Sequence, residues 1–486
     1  MKTAPVPPFP ALLSGLRGRG GHLSAPAACL AVMVVAAVLM FVRLGDVKAP
    51  IWDEAYYVTT TARYHEGRAQ FASHPPLGLL LIAAGKRLAG SDDPADLATM
   101  AAPKSIAAEA MPPGYDYFAL RALPASFGVL CAGLFFILML ELTGSTSAAM
   151  MLSPLWLLDT ALIAHFRAAH LDPFQLAFVL AAIICAVRAL RGKHIHSVML
   201  FGLFAMLASL VRANAVLLVV FAPFLLWPAL RERHWRLFAG RAASGLAGAF
   251  LAISLVTGAQ IATERALPDP ATPAGRQDAA FLSTAHRAAI ETGKWSPVAI
   301  AALWNDQRAA IAADLEGITD VDANGSHPWH WLIGKGAIIY RWDSGADGYS
   351  VLGTVANYAA WLVSLAGVVM AIWSLGRRRD PLRMMLLAAW LASMGALLWL
   401  DLGRVLYLYH YFNPLLLGHA LAAVQWRDSG FPEWPANLAF TAVFGCFVYA
   451  APFAFHQPVG TWRCAITFGS CEGAASSDNT KVRSTS

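Results

Sequence analysis

Charge is scarce in this chain. Asp, Glu, Lys and Arg make up only 14% of its 486 residues, against 57% hydrophobic residues and a mean hydropathy of +0.53. That balance excludes a water-soluble enzyme, because apolar runs of about 20 residues, enough to cross a bilayer, recur along almost the whole sequence. Two further absences narrow the field. No His/Cys cluster has the spacing of a zinc site, and His194 and His196 read as solvated loop residues. There is also no internal repeat, which argues against the paired halves of a secondary transporter. The net charge of +6 would suggest nucleic acid in a soluble protein. Here the basic residues fall in short loops between apolar runs, so no nucleic-acid partner is implied.

The apolar runs are expected at 27–44, 119–142, 147–166, 174–190, 197–210, 215–230, 243–261, 351–375, 384–400, 412–426 and 436–453, about eleven spans of an all-α membrane bundle. The two runs around Arg212 also read as one long run split by a buried arginine. The first run follows Lys2, Arg17 and Arg19 without a clear small-residue cleavage site, so it reads as an uncleaved anchor with its N-terminus in the cytoplasm. Alternate loops then carry Arg188, Arg191 and Lys193, next Arg231, Arg233, Arg236 and Arg241, and finally Arg377, Arg378, Arg379 and Arg383. The opposite turns hold mainly Arg167, Arg212 and Arg404. This positive-inside bias places the C-terminus outside.

Two long segments, 45–118 and 262–350, then face the exterior, with 1–453 forming one membrane domain and 454–486 an external, partly disordered tail. The first contains 77–88, too short to span and better read as an interfacial helix. The second has a helix-like stretch at 305–318, a turn at Asn324-Gly325 and a Trp-rich return whose Trp329, Trp331, Tyr340 and Trp342 suit an interfacial aromatic belt. Cys29, Cys131, Cys185 and Cys446 lie in spans as small packing residues, whereas Cys464 and Cys471 share the tail, where a disulfide is allowed.

The chemistry-bearing motifs cluster at the external ends of the spans. Ile51-Trp52-Asp53-Glu54-Ala55-Tyr56-Tyr57 puts an acidic pair just beyond the first span, and His74-Pro75-Pro76-Leu77-Gly78 follows. Taken alone, Asp53 reads as the N-cap of a helix starting near Ala55, and the prolines as the first turn of the helix at 77–88. Arg121-Ala122-Leu123-Pro124 opens the second span, where an arginine also serves as a snorkelling anchor. The run from Leu158-Asp159 to His165-Phe166-Arg167 closes with Leu171-Asp172. Asp159 lies inside a span, where an ionisable group is costly and usually paired or functional; Asp172 before Pro173 suits an N-cap. Arg404, Tyr407, His410 and Tyr411 share another external turn, and Ser326-His327-Pro328-Trp329-His330-Trp331 precedes Leu352-Gly353-Thr354-Val355-Ala356-Asn357.

Together these stretches resemble the protein O-mannosyltransferases, a branch of the GT-C glycosyltransferases that use polyprenyl-phosphate sugars. The resemblance implies a GT-C bundle in which Asp53 is the general base and Glu54 assists positioning. It also places His74, Asp159 and Asp172 along the acceptor groove, and Arg121, Arg167, Arg404 and His410 near the donor phosphate. Such transfer needs a base for the hydroxyl proton, cations for the leaving phosphate and a groove that excludes water. Three departures stand out. Leu79 replaces a lysine common after the glycine, and Lys86 cannot be assumed to substitute for it. The Gly-Asn-Pro-like turn is degraded at 353–357. The segment 262–350 is far too short for the β-trefoil insertion of eukaryotic members, which favours a bacterial-type enzyme in the inner (plasma) membrane.

The reading is an inverting transferase moving a hexose, most simply mannose, from a polyprenyl phosphate to Ser/Thr hydroxyls of exported proteins. The motifs do not specify the acceptor, so a surface lipid or glycan, as in aminoarabinose transfer to lipid A, stays open. No cofactor is required by the motifs, and a divalent cation stays open. A transporter using Asp159 for coupling is the rival from another class.

Overall fold

A computed structural model describes residues 24–468, except 91, 193–194, 318–321, 346–347, 378 and 431–432. Lys2, Arg17, Arg19, Lys193, His194, Arg378, Cys471 and the tail from Glu472 to Ser486 lie outside the described residues.

In a bilayer an apolar run must satisfy its own backbone hydrogen bonds, and helices do so. Among the described residues, Tyr117–Thr143, Asp172–Arg191, Ala213–Arg231, Trp235–Thr263, Tyr358–Leu375, Pro381–Leu400 and Trp434–Ala454 are long and apolar enough to cross a membrane. Thr146–Leu157 and Thr160–Phe166 form a further segment bent by 64°, and Ala25–Phe41 and His196–Val211 are shorter apolar helices. With Phe412–Ser429, each expected span falls on a helix. The protein is a multi-pass, predominantly helical membrane protein. Helix Asp172–Arg191 lies at its centre, buried along most of its length.

Two breaks in these helices position the site. At the 64° bend, Asp159 is extended and its carboxylate accepts from the Ala161 and Leu162 amides, starting the second half. At Arg212 the chain is again extended (φ −144°, ψ 131°) before a 3-10 stretch, Ala213–Phe221. The arginine therefore ends one span and opens the next. Helices Ile195–Val211 and Trp235–Thr263 meet through glycine: a Cβ at Gly202 would lie 2.0 Å from the Gly245 carbonyl oxygen. Such contact draws two backbones together where lipid gives no hydrophobic drive for association.

The expected span at 351–375 begins later than its hydropathy suggests. Strand β1 (Ile338–Gly345) pairs antiparallel with β2 (Gly348–Thr354), which also pairs with the short β3 (Pro458–Val459). Apolar, β-branched residues such as Val351 suit a buried strand as well as a helix, and hydropathy alone does not separate the two. The helix starts at Tyr358, where Asn357 caps the Ala360 amide. In the tail, helix Thr461–Phe468 packs on this hairpin through Cys464, which is disulfide-bonded.

The two long segments are stitched to each other. Arg68 bridges Ala266, the Ala69 amide donates to the Ala266 carbonyl at 2.9 Å, and Lys104 Nζ lies 2.6 Å from Asp278. The expected interfacial helix is present as Pro76–Ala89, with one face buried and Leu88 exposed.

Candidate active site

Adjacent residues on a helix point about 100° apart, and this separates the acidic pair at the start of helix Glu54–His65. Glu54 turns inward and is fully buried. It accepts from Arg121 Nε (2.9 Å) and Nη2 (2.8 Å) and from the Ile51 (2.8 Å) and Ala169 (2.7 Å) amides. Arg121 directs its remaining donors at the Leu44, Val47 and Ala49 carbonyls. All of its N–H groups are engaged and none is exposed, so it is not free to hold a donor phosphate as expected. Glu54 likewise has no free oxygen for a sugar. The pair is an anchor that ties the first segment to two helices.

Asp53 turns the other way. Its carbonyl accepts from the Tyr56 and Tyr57 amides, while its half-buried carboxylate makes no capping bond. The expected alternative role as an N-cap is therefore not taken up. Burial pushes its pKa up to about 6; Arg212 opposes the shift, and Asp172 and Asp314 add to it. Trp52, just before it, adopts a left-handed φ of 53°, and its ring packs against Tyr340 (5.6 Å) and Tyr407 (5.3 Å).

Asp172 is in the first turn of its helix but does not cap it. Its Oδ2 lies 2.6 Å from Arg212 Nη1 and 2.8 Å from His165 Nε2, and His165 Nδ1 is 2.5 Å from the Tyr340 hydroxyl. The Arg212 guanidinium also covers the Tyr409 ring at 5.2 Å. Arg212, His165, Tyr340 and Tyr409 were not among the expected site residues. A signal for Arg212 was available: a lone arginine between two apolar runs is costly unless paired.

His74 and His410 sit close enough to Arg212 and to Arg404 to feel both charges. Burial and then Arg212 push His74 down to about 3, and the same two causes lead for His410, also about 3, so both rings are neutral. His410 is therefore not a cation for phosphate. Its Nδ1 lies 2.9 Å from the Tyr407 carbonyl, and donation there leaves Nε2 unprotonated. Among the described residues Arg404 has no carboxylate within ion-pair distance, and its buried Nε has no hydrogen-bond acceptor.

Two expected residues fall elsewhere. Asp159 is a buried cap that also accepts from Trp361 Nε1 at 2.5 Å, so it does not line the groove. Arg167 Nη1 donates to the Leu39 (2.9 Å) and Met40 (3.0 Å) carbonyls at the C-terminal end of helix Ala25–Phe41. Its cavity, of about 140 Å³, is lined by Arg43, Asp46, Arg121 and His456, not by Asp53 or Arg212. Lys86 is buried against Asp92 at 2.6 Å and does not take the role of the missing lysine. Of the expected aromatic belt, Trp329 is exposed, while Trp331 is fully buried and bonded to Ser326 Oγ. Among the described residues, no group of three or more His, Cys, Asp or Glu side chains is arranged to hold a metal ion.

What remains is a carboxylate raised to about 6 that feels the Arg212 charge, and two neutral imidazoles that feel both Arg212 and Arg404. This set suits proton removal from a hydroxyl beside an anionic leaving group. Residues 30–254 match the family model of dolichyl-phosphate-mannose-protein mannosyltransferase. Relatives of the mannosyltransferase family include Protein O-mannosyl-transferase 2 of Danio rerio, 26% identical over 35% of this chain and 23% of its own length. Another is dolichyl-phosphate-mannose–protein mannosyltransferase 4 of Schizosaccharomyces pombe, 27% identical over 34% of this chain and 21% of its own. The chain thus matches under a quarter of the length of these relatives. Among solved structures, the S. cerevisiae Pmt1-Pmt2 complex bound to the sugar donor superposes with TM-score 0.66, 12% identity and coverage of 94% and 93%. ArnT from Cupriavidus metallidurans bound to undecaprenyl phosphate gives 0.50 at 11% identity, covering 88% of this chain and 65% of its own. The fold is that of the GT-C membrane glycosyltransferases.

Proposed function

We propose that the protein is an inverting, polyprenyl-phosphate-dependent mannosyltransferase acting on Ser/Thr hydroxyls of exported proteins. One observation carries the reading: Asp53, free of any capping bond and raised to about 6, lies close enough to Arg212 to feel its charge. In a single displacement the acceptor oxygen bonds to the anomeric carbon as the bond from that carbon to the phosphate oxygen breaks. Asp53 takes the hydroxyl proton. Arg404, with its unpartnered Nε, and Arg212 stabilise the departing phosphate, while neutral His74 and His410 orient hydroxyl groups. A base titrating near the working pH combines availability with proton affinity. The named family of residues 30–254 and the donor-bound and undecaprenyl-phosphate-bound structural neighbours support this donor class.

The same reading places the protein in a bacterial inner (plasma) membrane, with the N-terminus cytoplasmic and the site and C-terminus external, on the loop-charge asymmetry. The short 262–350 segment favours the bacterial type. The test is turnover in detergent micelles with polyprenyl-phosphate mannose and a Ser/Thr-rich peptide. Glycopeptide of inverted anomeric configuration is expected. Failure to cleave the donor with peptide, lipid or glycan acceptors would sink the proposal; a glycosylated lipid alone would keep the donor and change the acceptor. For topology, an impermeant thiol reagent should reach a cysteine at His327 in intact cells, and one at Arg377 only after permeabilisation.

A further inference from the structure

The second long segment buries a histidine that the proposed chemistry does not use. His286, on helix Thr284–Thr292, has Nε2 2.8 Å from Glu264 and Nδ1 2.9 Å from Asp306, and all three residues are buried. A neutral imidazole has one N–H. Both contacts are therefore donated hydrogen bonds only when the ring is protonated. Glu264 closes helix Trp235–Thr263 and also accepts from Gln260 Nε2 at 2.7 Å. Asp306, on helix Pro297–Gly317, also accepts from the Ser283 amide and hydroxyl. One shared charge thus joins three helices.

The other groups around the ring do not replace that charge. Phe71 and Trp295 flank it at 6.0 and 5.5 Å. Tyr64 bonds to Gln260 on the Glu264 side. Beyond Phe71, whose amide donates to Asp278, that carboxylate is matched by Lys104 at 2.6 Å and Arg63 at 3.7 Å.

Helix Pro297–Gly317 connects this cluster to the groove. One residue after Asp306, Gln307 Nε2 donates to the Ala72 (2.9 Å) and His74 (3.2 Å) carbonyls, holding the turn that carries His74. Farther along, Asp314 raises the Asp53 carboxyl and is itself opposed by Arg404. We propose that His286, as an imidazolium clasped between Glu264 and Asp306, is a positioning residue that holds helix Pro297–Gly317 against the His74 turn and so sets that wall of the groove. The positioning role rests on the reading of the Asp53 site given above; the clasp does not.

Burial disfavours the His286 charge, but hydrogen bonds and attraction from Glu264, then Asp306, outweigh it and raise the pKa above the usual 6.5. The clasp is therefore complete below about pH 6.5 and is lost as pH rises through the raised value, weakening about tenfold per pH unit in between.

Hydrogen exchange read by mass spectrometry on the full chain, from pH 6 to 9 and corrected for the chemical rate, tests this. Peptides covering 297–317 and 71–76 should lose protection as pH rises. The step should move to lower pH in Glu264→Gln, and also in Asp306→Asn, the second variant should the first fail to fold. It should be absent in His286→Gln. No step in the parent protein, or the same step in His286→Gln, would overturn the clasp. In parallel, kcat/KM should show an alkaline fall that His286→Gln lacks; a clasp step without that fall would overturn the positioning role. A protein that shows the step yet turns over no donor would refute the proposed function alone.

Discussion

Arg212 and Asp172 lie 40 residues apart in the sequence and 2.6 Å apart in the fold. Each follows a residue that presses on the same glycine. A Cβ at Gly78 would lie 2.7 Å from Leu171 Cδ2 and 3.0 Å from Val211 Cγ1. The glycine after the two prolines thus lets helix Pro76–Ala89 approach the ion pair closely. Gly78→Ala should push on both flanks, costing about 1–3 kcal/mol as overpacking usually does, and should lower turnover more than it lowers the melting temperature. Turnover and thermal unfolding measured together check this, and unchanged turnover would refute it.

Asp53→Asn should reduce transfer by about 10²–10⁴-fold while the protein stays folded. The Asp53 carboxyl is raised to about 6, so its charge is disfavoured in the fold. Any stability linked to its proton is full below the ordinary carboxylate value and lost as pH rises through about 6. The Asn variant should consequently melt no lower than the parent at pH 8. Near-normal turnover would remove Asp53 as the base.

The pH dependence of kcat/KM should show an acid limb with a midpoint near the Asp53 value of about 6, falling about tenfold per pH unit below it. His74 and His410, lowered to about 3, should contribute no limb between pH 5 and 8. A limb that persists in residual Asp53→Asn activity would assign it to another group.

Arg121 and Arg404 should separate cleanly. Arg121→Met leaves Glu54 charged, buried and without its cation, a change on the order of 3–5 kcal/mol, and should lower the yield of folded protein. Arg404→Lys keeps a cation but loses the planar fork, so the donor KM should rise about tenfold or more with little change in melting temperature. Donor titrations and thermal unfolding of both variants decide it; an unchanged donor KM in Arg404→Lys would leave that residue as a membrane-edge anchor.

The spans were legible because bilayer length and hydropathy act locally along the chain. So was the place of the acidic pair, which starts a helix just beyond the first span. Partners were not legible. Nothing near Glu54 in the sequence says that Arg121 fills it, and only the fold places Asp159 under Trp361 Nε1 as a cap. Arg167 misled for the same reason: a basic residue at a span's end serves a helix terminus as readily as a phosphate. The β1–β2 hairpin was hidden because Val351 and its neighbours are apolar enough for either conformation. Arg212 stood in plain view between two apolar runs, but its importance depends on Asp172 meeting it across the bundle.

Trp52 holds a left-handed backbone while its ring is packed between Tyr340 and Tyr407. A bulky residue adopts that conformation at a cost, and the flanking rings supply the restraint that keeps it there. The residue just before Asp53 is therefore a loaded spring, latched by aromatic rings from two distant parts of the chain. A glycine here would relax the backbone and release the latch in one step.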